Sequence, residues 1–154
     1  MIKINVIVGY KNWTKYIKSP EIYLKKKIKK LNTEKFFKKK RLEFSLLLSN
    51  NKNIKKLNYK YRKKLKTTDV LSFPFHKKND LKKILKKNNL VYLGDIIINL
   101  EVLINKDLDK NFREKFNEIW IHGLLHLLGY RHKLNSDYFR MKKIEKNYVD
   151  LLNR

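Results

Sequence analysis

Strand-like and helical stretches are mixed along the 154 residues, which predicts a fold containing both α and β structure around one core. Three observations carry this. Short apolar runs such as Ile2–Val8 and LEFSLLLS at Leu42–Ser49 read as strands. Between Asn111 and Leu128, Phe112, Phe116, Ile119, Trp120 and Leu124 recur at helical spacing. Hydrophobic residues make up 42% of the chain, and no Gly/Ser/Pro-rich linker divides it, so residues 1–154 read as one domain.

The elements follow in order. Ile2–Val8 is a first strand. Ser19-Pro20-Glu21 starts a helix, with Ser as cap, Pro in the first turn and an acid beside it, and the helix runs to about Leu31. Leu42–Ser49 is a second strand, apolar enough to be mostly buried. Asn50–Asn53 reads as a turn and Ile54–Tyr61 as a short helix with Leu57 and Tyr61 on one side. Asp69–Phe75 is a third strand, whose Pro74 lacks a ladder donor and favours an edge. His76–Asn89 is lysine-rich and expected as an exposed loop, with Leu81–Lys87 at most transiently helical. Val91–Asn99 is a fourth strand interrupted at Gly94-Asp95, followed by a short helix at Leu100–Lys106. The helix at Asn111–Leu128 comes next. A last helix runs from about Ser136, capped by Ser136 or Asn135, to Leu152, with Phe139, Ile144, Tyr148, Leu151 and Leu152 as its apolar stripe.

Composition narrows the class. There are no cysteines, so disulfide scaffolds and Cys-based zinc fingers are ruled out. No apolar run approaches the roughly 18–20 residues of a membrane span. MIKINVIVGYKNW lacks the apolar region and cleavage site of a signal peptide, so a bacterial-type cytosolic protein is expected. The net charge is +25, carried by 33 Lys and only 6 Arg, alongside 17 Asn. Lysine- and asparagine-rich composition also follows from AT-rich coding, whereas selection for phosphate geometry would favour arginine's planar fork. Both origins stand, and either draws the chain to polyanions such as RNA, DNA or the ribosome in a salt-dependent way.

The chemistry is concentrated in HGLLHLLGYRH. His122 and His126 are four residues apart, just over one helical turn, and share a face. Gly129 follows where the helix should stop, because glycine takes the left-handed conformation without strain. The chain can then reverse and bring His132 back. Three imidazoles hold a zinc ion while leaving a coordination position open, as catalytic sites do. A single His on a helix is usually a satisfied polar residue. Here the apolar neighbours Ile121, Leu124, Leu125, Leu127 and Leu128 would leave bare imidazoles in want of partners. The spacing also resembles zinc proteases with HExxHxxGxxH, but their general base is the Glu after the first His. Gly123 stands there.

This segment resembles the YbeY family of bacterial endoribonucleases, whose signature is HGxLHLxGYDH with Met nine residues after the last His and Glu four later. Met141 and Glu145 occupy those places. Leu57-Asn58, Tyr61-Arg62 and the run Thr68–Phe75 match a second signature, and Leu93-Gly94-Asp95-Ile96 a third, so the resemblance covers about residues 45–150. It implies an α+β fold, with a small mixed four-stranded sheet, about four to five helices and a zinc site at the end of a C-terminal-half helix. It implies one Zn2+ on His122, His126 and His132, and a part in catalysis for Arg62. It further implies a cytoplasmic, single-strand-specific endoribonuclease of ribosomal RNA maturation (the 16S 3′ end) and ribosome quality control. Its partners would be ribosomal RNA and the small ribosomal subunit.

The chain departs from the family at Arg131, where the family has Asp, and at Leu65 and Thr67, which replace an acid and Pro. An Asp could orient a ligand or help activate water, and an arginine accepts neither a hydrogen bond nor a proton. Asp69 and Asp95 are the nearest carboxylates for a general base, though each could be capping a turn. Phe73, Phe75 and Tyr130 could stack on bases, with core packing favoured for the two phenylalanines. Two other functions stay open: a zinc metallopeptidase, and a non-catalytic ribosome-associated RNA-binding protein.

Overall fold

The computed structural model of the chain describes residues 1–87 and 89–154. Four strands, β1 (Ile2–Val8), β2 (Arg41–Ser49), β3 (Val70–Pro74) and β4 (Leu90–Asn99), form one sheet in the order β1-β2-β4-β3. β1, β2 and β4 are parallel neighbours and β3 runs antiparallel to β4, so the sheet is mixed, as expected of the α+β class. Pro74 ends β3 on the sheet's edge, where its missing donor leaves no bond unmade.

Alternation along β2 shows how the sheet divides the core. Leu42, Phe44, Leu46 and Leu48 are fully buried on one face, beneath α1 (Pro20–Leu31), α6 (Phe112–Leu127) and α7 (Asn135–Asn153). On the other face α3 (Asn51–Arg62) covers a smaller cluster of Ile54, Leu71 and Ile97, with Leu57 and Phe73 packed against it. Short helices α2 (Lys35–Lys38), α4 (Lys78–Ile84) and α5 (Leu100–Asn105) and a 3₁₀ turn at Lys11–Lys15 are the other helical elements among the described residues. Asn117 joins three of these elements. Its Oδ1 accepts from Tyr23 of α1 at 3.0 Å, and its Nδ2 donates to Asn153 of α7 at 2.9 Å.

Several local expectations need correction. Asn50 is no turn residue but the cap of α3, its Oδ1 accepting from the Asn53 N–H at 3.0 Å. The lysine-rich stretch after His76 is helical over Lys78–Ile84, because Leu81 is buried in the main core and anchors it. Asn88, in the same expected loop, lies outside the described residues. α7 starts after Leu134 with no side-chain cap, so neither Ser136 nor Asn135 plays that part. Its buried stripe is Met141, Glu145, Val149 and Leu152, whereas Phe139 is 70% exposed. Ser19 precedes α1 as expected but makes no capping hydrogen bond. No helix among the described residues is long and apolar enough to cross a membrane.

Candidate metal centre

α6 carries His122 and His126 and is aimed by its two ends. At its start the Asn111 Oδ1 accepts from the Glu114 N–H at 3.0 Å. At its end Gly129 takes φ +89°, the Tyr130 N–H bonds the Leu125 carbonyl and the Gly129 N–H bonds that of His126. This paired closure is the Schellman motif, and it turns the chain so that His132 comes back onto the helix face. Potential ligand atoms of His122, His126 and His132 all lie within 4.8 Å of one another.

Hydrogen bonds fix which nitrogens face inward. His122 Nδ1 lies 2.8 Å from the Glu145 Oε2, and His126 Nδ1 lies 3.0 Å from the Tyr130 carbonyl oxygen. A carboxylate and a carbonyl only accept, so both Nδ1 atoms carry the proton and both Nε2 atoms are left with a lone pair. Those two Nε2 atoms stand 3.1 Å apart. Facing lone pairs at that distance repel unless a positive charge lies between them. Two nitrogens bound to one tetrahedral zinc at about 2.0–2.1 Å are separated by roughly 3.3 Å, so the donor set fits such an ion. Burial, then the neighbouring His122, push the His126 imidazolium down to about 4, which keeps the ring neutral and ready to ligate at neutral pH.

Glu145 is the functional residue whose role the sequence did not reveal. Burial opposes its charge, but hydrogen bonds from His122 and from Lys142 at 3.1 Å outweigh that, and its carboxyl sits below the ordinary range. The signals available were its place in the family signature and an acid in the apolar stripe of a helix, four residues from both Met141 and Val149.

The histidines line a cleft of about 800 Å³, and the structure brings Arg62, Lys64, Arg131 and Lys133 to the same cleft. Arg62 is the last residue of α3. Its Nη2 donates to the Ser72 carbonyl of β3 at 3.2 Å and its guanidinium lies over the Phe73 ring, leaving its other N–H groups without a partner among the described residues. Lys63 ends α3 at φ 55°, and the Asn58 side chain holds the Lys66 carbonyl at 2.8 Å, which fixes the turn behind Arg62. The Thr67 hydroxyl donates to Asn51 Oδ1 at 2.8 Å and accepts from Asn99 Nδ2 at 2.9 Å, which ties this segment to α3 and to the end of β4. Among the described residues Asp69 is the one carboxylate lining the cleft, with its Oδ2 2.6 Å from Lys106.

Other expected residues lie elsewhere. Asp95 projects from the opposite sheet face, bonded by the Tyr92 hydroxyl at 2.8 Å, and is not part of the cleft. Strand alternation puts it there, one residue before Ile96, which packs against α6. Phe73 packs in the small cluster, as expected, but Phe75 is 68% exposed. Gly123 has a packing reason. A Cβ there would stand 2.8 Å from Ile96 Cγ2 and 3.2 Å from Ser72 Oγ, so the glutamate of a zinc protease has no room.

A four-stranded mixed sheet carrying a three-histidine site beside a clamped arginine defines an α+β protein equipped to hold a metal ion. The family model described as Endoribonuclease YbeY matches residues 10–153, and the chain belongs to that family. An Endoribonuclease YbeY of Pelagibacter ubique is 44% identical over 148 residues, 94% of this chain and 92% of the relative. One from Ehrlichia canis is 40% identical, covering 99% of this chain and 93% of its own length. A protein of Thermotoga maritima known from its solution structure superposes with a TM-score of 0.58 at 27% identity, over 99% of this chain and 89% of the other.

Proposed function

We propose that residues 1–154 act as a single zinc-dependent endoribonuclease domain that cleaves single-stranded RNA. Ribosomal RNA maturation at the 16S 3′ end and ribosome quality control in the cytoplasm are its setting, with ribosomal RNA and the small ribosomal subunit as partners. The carrying observation is the convergence of three imidazoles and the Arg62 guanidinium, from elements some sixty residues apart, on one cleft. Family membership supports the RNA substrate.

His122, His126 and His132 would hold the ion. When bound, zinc supplies Lewis acidity and a water activated at neutral pH. Glu145 and the Tyr130 carbonyl keep the two helix imidazoles in the ligating tautomer. Cleavage of a phosphodiester builds negative charge on the non-bridging oxygens. Arg62, steadied by the Ser72 carbonyl, directs its free N–H groups there and stabilises that charge. Lys64, Arg131 and Lys133 hold the strand along the cleft. Asp69, paired with Lys106 at 2.6 Å, is the carboxylate in the cleft wall available to take a proton.

Arg131, standing where the family has Asp, favours one second reading, RNA binding without cleavage. The two separate in a cleavage assay on single-stranded RNA with metal content measured for each protein. On the first reading wild type cuts, and Arg62→Ala keeps its metal but slows about 10²–10³-fold, as loss of a charge-stabilising donor does. Intact RNA at full metal occupancy selects the second, and cleavage regained in Arg131→Asp would trace the loss to that residue.

A further inference from the structure

Beside the metal cleft, on the far side of Arg131, lies a second pocket of about 360 Å³. Lys78, Lys82, Arg131 and Arg140 line it together with Tyr130 and Tyr148. None of the four cations takes part in a salt bridge among the described residues. Among the described residues Asp137 is the single carboxylate in the wall. The Arg140 guanidinium lies 5.9 Å from the centre of the Tyr130 ring, so cation and aromatic face are presented together.

A basic pocket alone would mean little in a chain of net charge +25. A comparable groove along α1, lined by Lys18, Lys26 and Lys30, has no residue in common with the cleft. The pocket differs in how it joins the metal centre. Arg131 lines both cavities, and Tyr130, which also lines the pocket, holds His126 Nδ1 through its carbonyl at 3.0 Å. Its volume of about 360 Å³ lies at the small end of ligand sites and is enough for a nucleotide.

We infer that this pocket holds one unpaired nucleotide of the RNA strand next to the scissile phosphate, a reading that rests on the proposed RNA cleavage. The cations take its phosphate and the tyrosine rings take its base. A paired base cannot enter without leaving its helix, so the pocket supplies a physical reason for single-strand preference.

The test uses metal-loaded wild type, Lys82→Ala/Arg140→Ala, and Lys18→Ala/Lys26→Ala as a control of equal charge. Calorimetric affinity for adenosine 5′-monophosphate and the KM and kcat for a single-stranded RNA are measured for each. The pocket variant should bind the mononucleotide about tenfold more weakly and show a KM about tenfold higher, with kcat within about twofold of wild type. The control should match wild type in both. Equal losses in both variants would mean general charge attraction and overturn the inference, as would unchanged mononucleotide affinity in the pocket variant. Weaker mononucleotide binding with an unchanged KM would assign the pocket to a free nucleotide, which also overturns it. If wild type leaves RNA intact yet the pocket variant alone loses the mononucleotide, the cleavage reading fails while the nucleotide pocket stands.

Discussion

Glu145 stands in the buried stripe of α7, where a glutamate persists only with partners, and its two partners are a ligand-position histidine and Lys142. Its carboxylate accepts from His122 Nδ1 at 2.8 Å and so holds the ring's Nε2 toward the other imidazoles. Glu145→Gln should therefore weaken metal binding about 10-fold or more while changing the melting temperature little, as read by competition with a chromophoric chelator. Unchanged affinity would reduce Glu145 to a packing residue. Tyr148 gives a second residue-level expectation. Burial pushes its phenol up from 10.0 to about 12. Below pH 10 both folded and unfolded chains keep that proton, so its contribution is fully present there. As pH rises toward 12 the unfolded chain ionises first, and stability is lost through that window. Tyr148→Phe should make denaturant-derived stability fall less steeply there than wild type, and parallel curves would contradict the assignment.

At the scale of elements, glycines set how closely chains approach. A Cβ at Gly123 would press α6 off Ile96 of β4, and Gly123→Ala should cost about 1–3 kcal/mol in denaturant unfolding, as overpacking does. Gly94 is stricter, because its φ is +130° and a Cβ would sit 2.1 Å from the Phe73 carbonyl oxygen. Gly94→Ala should lower the unfolding midpoint further than Gly123→Ala, and the reverse order would contradict this packing. Strand and helix positions were largely legible from periodicity, since β2 alternates and α6 repeats its apolar residues at helical spacing. α4 was not, because a single buried Leu81 anchors an otherwise lysine-rich helix and tertiary contact outweighs composition. The three histidines were legible because local spacing and a glycine stop bring them together. The Glu145 contact spans 23 residues and depends on how α7 packs on α6, which no local pattern encodes. Asp95 was misplaced for a similar reason, since membership in a motif does not say which sheet face a residue takes.

Over the whole molecule, the question is which of the 39 basic residues meet RNA. Arg62, Lys64, Arg131 and Lys133 line the cleft. Four phosphate contacts in the cleft predict a slope of log affinity against log salt of about −3, steeper where the adjoining pocket is also filled, and single-stranded RNA titrated across salt concentrations measures it. A slope near zero would separate the charge from RNA binding. The central claim is that a metal ion held by the three histidines drives RNA cleavage in this cleft. It is tested most directly by measuring bound metal and single-stranded RNA cleavage together in wild type and His126→Ala, before and after chelation and zinc return. Wild type should hold one ion per chain, lose cleavage with the ion and regain it with zinc, while His126→Ala holds no stoichiometric metal and does not cut. Cleavage that persists without the metal, or in His126→Ala, would contradict the account.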